Sequence, residues 1–449
     1  MDDFLLRCRE AAEILSKKEK ITVIGHRDAD GICAAVIVKR CYSEKEVVIR
    51  IIRHSTDLAR LKADCGDSFP VFVDYGSSEI AGIESAFGDF LILDHHPPER
   101  SHPKMVNPWD FGIDGTRQLS GAGVSYFVAR EEDPANISLS SIALIGAMGD
   151  KMHLSGFNGP NALLMDDALR AGLISFKSDD DGILVGRLPF SSEPLPALLV
   201  ADIIDSCASV NRPELAVGML MGDLDSYKSA LGVHEEYERL FNDQLQAIRS
   251  GWNEIMERNS QYLAYFIYLP EIQPGFTGPL AEEIVLEVRD KPIVIISSTH
   301  YGLKASGRAT KEQVETLGLD LGRALSSAAQ ECGGRGGGHD IAAGASFREE
   351  DLERFKGLVT MGLFRQWRSR LKVLLDVETR SQSDASSLAS SLAVDNERYR
   401  STTSIALSLD NKLYIIVLSE DIGTFKNTVD DLIVCLTSSK DILNISKLD

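Results

Sequence analysis

The chain has 449 residues, of which 44% are hydrophobic and 25% are charged, a composition typical of soluble globular proteins with more than one core. No apolar run approaches the ~20 residues of a membrane-spanning helix. The seven scattered cysteines contain no CxxC pair, which argues against a zinc finger or a disulfide framework. The net charge of −20 excludes a general polyanion binder, although bound cations or one local basic groove would still permit phosphate binding.

The first third of the chain alternates apolar strands with helical stretches. The N-terminal residues mix acidic and basic side chains with Leu and Ile, which predicts an amphipathic helix rather than a signal peptide, and hence a cytoplasmic protein without membrane contact. Strands are predicted at 21–25, 47–52, 71–73 and 91–93, with a helix at 31–39. Alternation of this kind predicts a parallel sheet with helices on both faces, and ligands of such sheets bind outside the carboxyl ends of the strands.

Carboxylate and imidazole side chains follow three of these strands and one later apolar segment, which we also expect to be a strand. The four clusters read HRDADG, VDYGSS, DHHPP and GAMGD. Their acidic and histidine residues are His26, Asp28, Asp30, Asp74, Asp94, His95, His96 and Asp150. One DxD or His-His pair is usually a helix cap, a turn or a surface feature. Four such clusters, each expected at a strand end, favour a single site.

The chemistry of these side chains predicts a pair of divalent cations. Converging carboxylates without cations would repel one another and raise their own pKa values. Carboxylate and imidazole ligands suit Mn²⁺, Mg²⁺ and similar ions. Two such ions ~4 Å apart can activate a water molecule and stabilise both the attacking and the leaving oxygen of a phosphoryl displacement.

The four clusters resemble, in order, the four motifs of the DHH phosphoesterase superfamily. This superfamily includes RecJ-type exonucleases, nanoRNases, cyclic-dinucleotide phosphodiesterases and family II pyrophosphatases. The resemblance implies two metal ions, Mn²⁺ first and Mg²⁺ as the alternative. The implied ligands are His26 and Asp28 for one ion, Asp30, His95 and Asp150 for the other, and Asp74 for both.

The same resemblance implies roles in catalysis for Asp74, for His96, which would face the substrate phosphate, and for Asp94, which would orient a ligand. His26 departs from the aspartate found at that place in many bacterial RecJ proteins. This departure weakens a strict bacterial RecJ assignment but leaves the metal site intact.

A second region carries basic and glycine-rich motifs after a strand predicted at 293–298. Strand alternation would place Lys304, Ser306 and Arg308 on one face, where they could hold a phosphate backbone. The following GGRGGGHDIAAGA is expected to form a glycine-rich loop, either an anion nest or a flexible hinge. It resembles the GGGH motif of the DHH-associated domain. That resemblance implies substrate binding by Lys304, Ser306, Arg308, Gly336, Gly337, Gly338 and His339.

The last ~80 residues read as a strand, a helix, a hairpin and a helix, an α+β module. DASSLASSLAVDN and KLYIIVLSEDIGTFKNTVDDLIVCL are similar to the Pcc-type subunit of the KEOPS tRNA-modification complex. The resemblance implies homodimerisation, RNA contact or docking to a protein partner, and an archaeal-type protein. A structural cap without an RNA role is the alternative.

Together these features predict an α/β protein with four parts. A parallel-sheet DHH catalytic domain would cover 1–190, a helical connector 191–260, a smaller α/β DHH-associated domain 261–360 and the Pcc-like module 368–449. The function expected is a metal-dependent exonuclease on single-stranded RNA or DNA. A nanoRNase, a cyclic-dinucleotide or 3′-phosphoadenosine phosphate hydrolase, and a replication- or RNA-processing scaffold are the alternatives.

Overall fold

The computed structural model describes residues 1–52, 57–176, 182–269, 271–393, 402–443 and 447–448. The chain divides into two units, Met1–Arg239 and Leu240–Asp449. Among the described residues, no helix combines the length and the apolar character that crossing a membrane requires.

Helices and strands alternate from α1 to β4, as the sequence predicts, and most of the rest of the first unit is helical. In chain order they are α1 (Asp2–Ser16), β1 (Lys20–His26), α2 (Ala29–Cys41), β2 (Glu46–Ile52), α3 (Leu58–Cys65), β3 (Phe69–Val73), α4 (Ile80–Ala86), β4 (Leu91–Leu93), β5 (Met105–Val106), α5 (Gly121–Glu132), α6 (Ser140–Gly149), α7 (Pro160–Arg170), β6 (Ile174–Phe176), β7 (Ile183–Val185), β8 (Leu195–Pro196), α8 (Ala197–Ser209), α9 (Pro213–Leu220) and α10 (Leu224–Ser250).

A five-stranded parallel sheet in the order β2-β1-β3-β4-β5 organises this unit, which confirms the predicted fold class. Successive residues of β1 point into different cores. Val23 packs with α1, α2, α5 and α6 on one face, and Ile24 packs with α3 and α4 on the other. Because both faces are covered, the strands are apolar throughout, and their carboxyl ends are the polar positions left for a site.

The fourth cluster follows a helix, so the expectation that it ends a strand is wrong. The segment SSIALIGAMG forms α6, and Asp150 is its C-cap residue. Every residue from Ser140 to Met148 is buried, so the sequence shows no polar face that would mark helical periodicity. Gly146 fits only because it has no side chain. A Cβ there would lie 2.6 Å from both Ala122 Cβ and Asp30 Oδ1.

The second unit holds two sheets. Its elements after α10 are α11 (Trp252–Arg258), β9 (Tyr265–Tyr268), α12 (Thr277–Glu287), β10 (Ile293–Thr299), β11 (Gly302–Arg308), α13 (Lys311–Leu317), α14 (Leu321–Glu331), β12 (Arg335–Gly338), β13 (Ala342–Phe347), α15 (Leu352–Gln366), β14 (Leu371–Glu378), α16 (Gln382–Ala393), β15 (Thr402–Leu409), β16 (Lys412–Ser419), α17 (Ile422–Leu443) and β17 (Lys447–Leu448). Their strand orders are β12-β13-β11-β10-β9 and β15-β16-β14-β17.

Two predicted elements differ here. The connector helix expected from residue 235 to 258 begins earlier, because Asp223 caps the start of α10 by accepting from the Ser226 backbone N–H. It ends at Ser250, and Gly251 separates α10 from α11. The glycine-rich loop is also wrong, since Arg335–Gly338 forms strand β12 and pairs with β13. Glycine permits a strand, a turn and a loop alike, so its sequence does not choose between them.

The C-terminal module forms the predicted strand, helix, hairpin and helix. Asp410, with a φ of 54°, makes the turn between β15 and β16. One sheet face packs on α16 and α17. The other face contributes Ile405 and Ile416 to the core that contains Phe355 of α15. The module therefore shares a core with the preceding domain. Its similarity to Pcc-type proteins stays a prediction.

Candidate metal centre

The turn after β1 is shaped by a cap and a glycine. Asp28 caps α2 and accepts the Gly31 N–H at 2.9 Å. A Cβ at residue 31 would lie 2.4 Å from His26 O, so this close approach requires glycine. The turn brings His26 Nδ1 within 2.5 Å of Asp28 Oδ2. Asp30 points inward and accepts the N–H groups of the first turn of α5.

Asp74 lies at the end of β3 in a left-handed backbone conformation, with a φ of 53°. Its N–H donates to Leu93 O, which ties it to the neighbouring strand. Gly121 faces it, because a Cβ there would lie 2.6 Å from Asp74 Cβ. Such strain at a buried carboxylate is a mark of a functional position.

The DHH segment after β4 forms a small hydrogen-bonded frame around Asp94. This carboxylate accepts the backbone N–H groups of Ser77, His95 and His96, and also His96 Nδ1 at 2.9 Å. His95 Nδ1 lies 2.6 Å from Gly115 O. With Nδ1 donating to that carbonyl, Nε2 is turned toward the carboxylates, as metal-binding histidines require.

The side chains from the four clusters converge on Asp74. His95 Nε2 lies 3.1 Å from Asp74 Oδ1 and 3.3 Å from Asp150 Oδ2. His26 Nδ1 lies 3.7 Å from Asp74 Oδ2. In three groups, the possible ligand atoms all lie within 4.8 Å of one another. These groups are His26, Asp28 and Asp74; Asp30, His95 and Asp150; and Asp74, Asp94, His95 and His96.

The carboxylates of the cluster have opposed pKa shifts. Burial and the charges of Asp150 and Asp74 raise the pKa of Asp30 well above its usual value. The Asp150 side chain is 26% exposed. The surrounding protein still removes most water from its carboxylate, and this desolvation raises its pKa to about 7. Burial acts in the same direction on Asp74, but His26 and His95 outweigh it and lower the pKa of Asp74.

The histidines balance this negative charge. Burial lowers the pKa of His26, but the Asp28 and Asp74 carboxylates outweigh it and raise that pKa to about 11. The pKa of His95 is raised well above its usual value against burial, by Asp74, Asp150 and Asp30. Positive charge is thus favoured where the histidines and carboxylates meet. Divalent cations would supply that charge.

Two buried atoms give an independent test of fit for metal ions. Within the part of the chain that the structure describes, Asp74 Oδ1 and His95 Nε2 lie 3.1 Å apart, but neither atom makes a hydrogen bond of good geometry. Such buried atoms are costly unless another ligand satisfies them. Both are good donors to Mn²⁺ or Mg²⁺, and both point into the cluster. The residues therefore fit divalent cations.

Asp205 of α8 belongs to this neighbourhood and was missed by the sequence analysis. It is buried and accepts the Ala29 N–H at 2.7 Å, so it holds the first residue of α2. Burial, and then the charge of Asp28, raises its pKa to about 8. The only sequence signal was the presence of two acidic residues, Asp202 and Asp205, within the apolar stretch ALLVADIIDSCAS. Acidic residues on a distant helix gave no reason to connect Asp205 with residue 28.

The predicted substrate-binding residues lie on one sheet of the second unit. Lys304 and Ser306 point from β11 toward the start of α12, where Lys304 Nζ donates to Pro274 O and Ser306 Oγ shares a hydrogen bond with Thr277. Arg308 lies close to Gly278 on the same side. His339 follows β12, and its N–H donates to Ala342 O. The remaining members, Gly336, Gly337 and Gly338, are part of β12.

Family models match both the region that holds the acidic and histidine cluster and the region that holds the β12–β13 glycines. Residues 20–149 match the model of the DHH family, N-terminal domain, and residues 259–361 match the DHHA1 domain. The chain carries a DHH domain followed by a DHHA1 domain. This domain content supports a DHH-family phosphoesterase, a hydrolase acting on phosphoester bonds.

Relatives resemble this chain over most of its length. It is 24% identical over 419 residues to an uncharacterized protein of Methanocaldococcus jannaschii, covering 76% of this chain and 93% of that protein. It is 24% identical over 382 residues to the single-stranded-DNA-specific exonuclease RecJ of Bacillus subtilis, covering 77% of this chain but 46% of RecJ. A crystal structure of exonuclease RecJ bound to manganese superposes with a TM-score of 0.59 at 21% identity, covering 80% of this chain and 94% of that one. The fold is therefore RecJ-like.

Proposed function

We propose that this DHH protein is a divalent-metal-dependent phosphodiesterase that removes nucleotides from single-stranded RNA or DNA. The observation that carries the proposal is that Asp74 belongs to two of the three groups of ligand atoms, and that its Oδ1 lies 3.1 Å from His95 Nε2 of the third group. One carboxylate in contact with two donor sets is the arrangement expected of a two-cation phosphoesterase centre. The manganese-bound RecJ structure of the same fold supports the choice of metal.

The residues divide by accessibility. His26 and Asp28 would hold one cation, Asp30, His95 and Asp150 the other, and Asp74 both. When bound, two such cations supply an activated water and neutralise the charge that develops on the phosphate. His96 is 42% exposed, against 7% for His95. His96 is therefore the histidine that can reach a phosphate.

Asp94 positions His96 for that contact. Burial acts to raise the pKa of Asp94, but His96 outweighs it and lowers that pKa. In turn, burial acts to lower the pKa of His96, but the hydrogen bond to Asp94 outweighs it and raises that pKa. In a charged His96, Nδ1 would donate to Asp94, and the N–H at Nε2 could then donate to a phosphate oxygen.

The sheet of the second unit would hold the nucleic acid. Arg308 offers a planar guanidinium suited to phosphate, and the glycines of β12 allow close approach of a backbone. The relative that acts on single-stranded DNA, RecJ, supports a strand rather than a pyrophosphate as the substrate. Arg308→Ala should mainly raise KM and leave kcat close to that of the parent, because the residue holds rather than reacts.

End-labelled single strands test the proposal. The protein is incubated with Mn²⁺ and RNA or DNA of ~5 and ~25 nucleotides, lengths that span and exceed a typical single-strand site. Progressive shortening of the long strand is the expected result, and the position of the label gives the polarity. Cleavage of the short strand alone would favour a nanoRNase or dinucleotide hydrolase. No cleavage of either strand would contradict the proposal.

A further inference from the structure

One face of the sheet β12-β13-β11-β10-β9 is open where β12 and β13 lie. Residues paired across the strands share a face, which places Lys304, Ser346 and Arg335 side by side. The opposite face, with Leu303, Ala345 and Phe347, is buried in the core with α14. On the open face, α12 packs against β10 and β11. Ser346 and Arg335 remain exposed.

Glycine residues occupy the middle of this open face. Gly337 and Gly344 pair across β12 and β13, between the two ends of the strands. A Cβ at residue 337 would meet no atom within 4 Å, so the space above it is open. A bound chain can therefore approach the backbone of the sheet closely there.

Basic side chains mark both ends of the open face. At one end Arg308 pairs with Ala342, whose carbonyl accepts the His339 N–H. At the other end lie Lys304 and Arg335. Among the described residues, no carboxylate pairs with the Arg335 guanidinium. Along β11, Lys304 and Arg308 are four residue steps apart, about 13 Å. That is the length of about four stacked nucleotides at ~3.4 Å each.

Tyr301 stands just beyond the Lys304 end, at the tip of the β10–β11 hairpin. It is 99% exposed. The tip is nevertheless firmly built, because Thr299 Oγ1 accepts the Tyr301 N–H and donates to Gly302 O. Gly302 has a φ of 122°, and a Cβ there would lie 2.5 Å from Phe347 O. An ordered hairpin thus presents an aromatic ring to solvent, as base-stacking platforms do.

We propose that this face binds a single-stranded oligonucleotide of about four nucleotides or more, with one phosphate at Arg308, another at Arg335 and a base stacked on Tyr301. The inference rests on the proposed function, because it specifies the length class of the substrate. The new assignments are Arg335 and Tyr301. A dinucleotide is too short to reach both basic ends, so it would use the Arg308 end alone.

The test is binding by fluorescence anisotropy with the full chain in EDTA, so that hydrolysis does not interfere. Labelled strands of ~2, ~4, ~6 and ~12 nucleotides bracket the smallest single-strand sites. Tyr301→Ala and Arg335→Gln should each weaken binding of the ~6-nucleotide strand by about fivefold or more and leave the dinucleotide unchanged. Tyr301→Phe should bind like the parent, because it keeps the ring. Arg323→Gln, an exposed arginine of α14 on the other side of the sheet, is the matched control.

The inference is overturned if the parent binds no strand, if both variants bind every length like the parent, or if they weaken the dinucleotide equally. A parent that shows the expected length dependence but hydrolyses nothing with Mn²⁺ would refute the proposed function and leave this surface standing. A parent that hydrolyses strands while the variants lose no affinity would refute the surface alone.

Discussion

At the scale of single residues, the candidate metal centre contains groups whose burial or backbone conformation costs free energy of folding. Asp74 is buried, adopts a left-handed backbone and faces an obligatory glycine at 121. Asp30 and Asp205 are buried carboxylates with raised pKa values. Each would destabilise the chain without a compensating charge. Bound cations provide that charge, so stability and metal binding should be linked.

The raised pKa values predict how the metal-free protein responds to pH. Asp150, with a usual pKa of 3.8 and a folded value of about 7, and Asp205, raised to about 8, bind protons more tightly when folded. They therefore stabilise the fold at low pH and lose this contribution as the pH rises. In EDTA the Tm should fall between about pH 5 and about pH 8, and Mn²⁺ should reduce the fall.

Asp150→Asn tests whether the Asp150 carboxylate contributes to this pH dependence, because the substitution removes one of the titrating groups. Its Tm in EDTA should depend less steeply on pH than that of the parent. Asp67→Asn, at a carboxylate that is 83% exposed, should keep the parent slope. Equal slopes in the parent and in Asp150→Asn would show that the carboxylate does not titrate in this range.

At the scale of elements, the turn between β1 and α2 places three of the donor residues. Gly31→Ala would put a methyl group 2.4 Å from His26 O, so the turn must shift. We expect a loss of about 1–3 kcal/mol in the free energy of unfolding and weaker Mn²⁺ binding. Denaturant unfolding and Mn²⁺ titration measure both. Gly88→Ala, where a Cβ meets nothing within 4 Å, should change neither.

The core that joins α15 to the C-terminal sheet is a second element-scale feature. Ile416 is fully buried there, so Ile416→Ala should cost about 2–5 kcal/mol in the free energy of unfolding. Ile433 of α17 is 47% exposed, and Ile433→Ala should cost about 0.5 kcal/mol or less. Similar losses from the two variants, measured by denaturant titration, would mean that the sheet does not pack on α15 in solution.

The sequence predicted those elements whose pattern has one structural solution. Buried apolar strands with polar residues at their ends predicted the parallel sheet and placed three of the four clusters correctly at strand ends. The helix before Asp150 was misjudged because it is apolar on every side. β12 was misjudged because glycines carry no pattern. Asp205 was missed because its contact with Ala29 spans 176 positions, and no local pattern encodes such a distance.

At the scale of the whole molecule, a chain with a net charge of −20 must bind nucleic acid through a few locally clustered basic side chains. Lys304, Arg308 and Arg335 are the basic groups of the open sheet face. Three phosphate contacts on a single strand predict a slope of about −2 for log affinity against log salt concentration. Anisotropy titrations of a long strand in rising KCl measure this slope. A slope near −6 would require a much larger basic surface.

The central claim is that two divalent cations share Asp74, and equilibrium dialysis against Mn²⁺ tests it most directly. The parent should bind two Mn²⁺ per chain. Asp74→Asn, which keeps an amide tolerant of the left-handed backbone, should bind Mn²⁺ at least about tenfold more weakly and lose hydrolysis of single strands. Circular dichroism should show an intact fold. One ion or none in the parent, or unchanged Mn²⁺ binding in Asp74→Asn, would contradict the account.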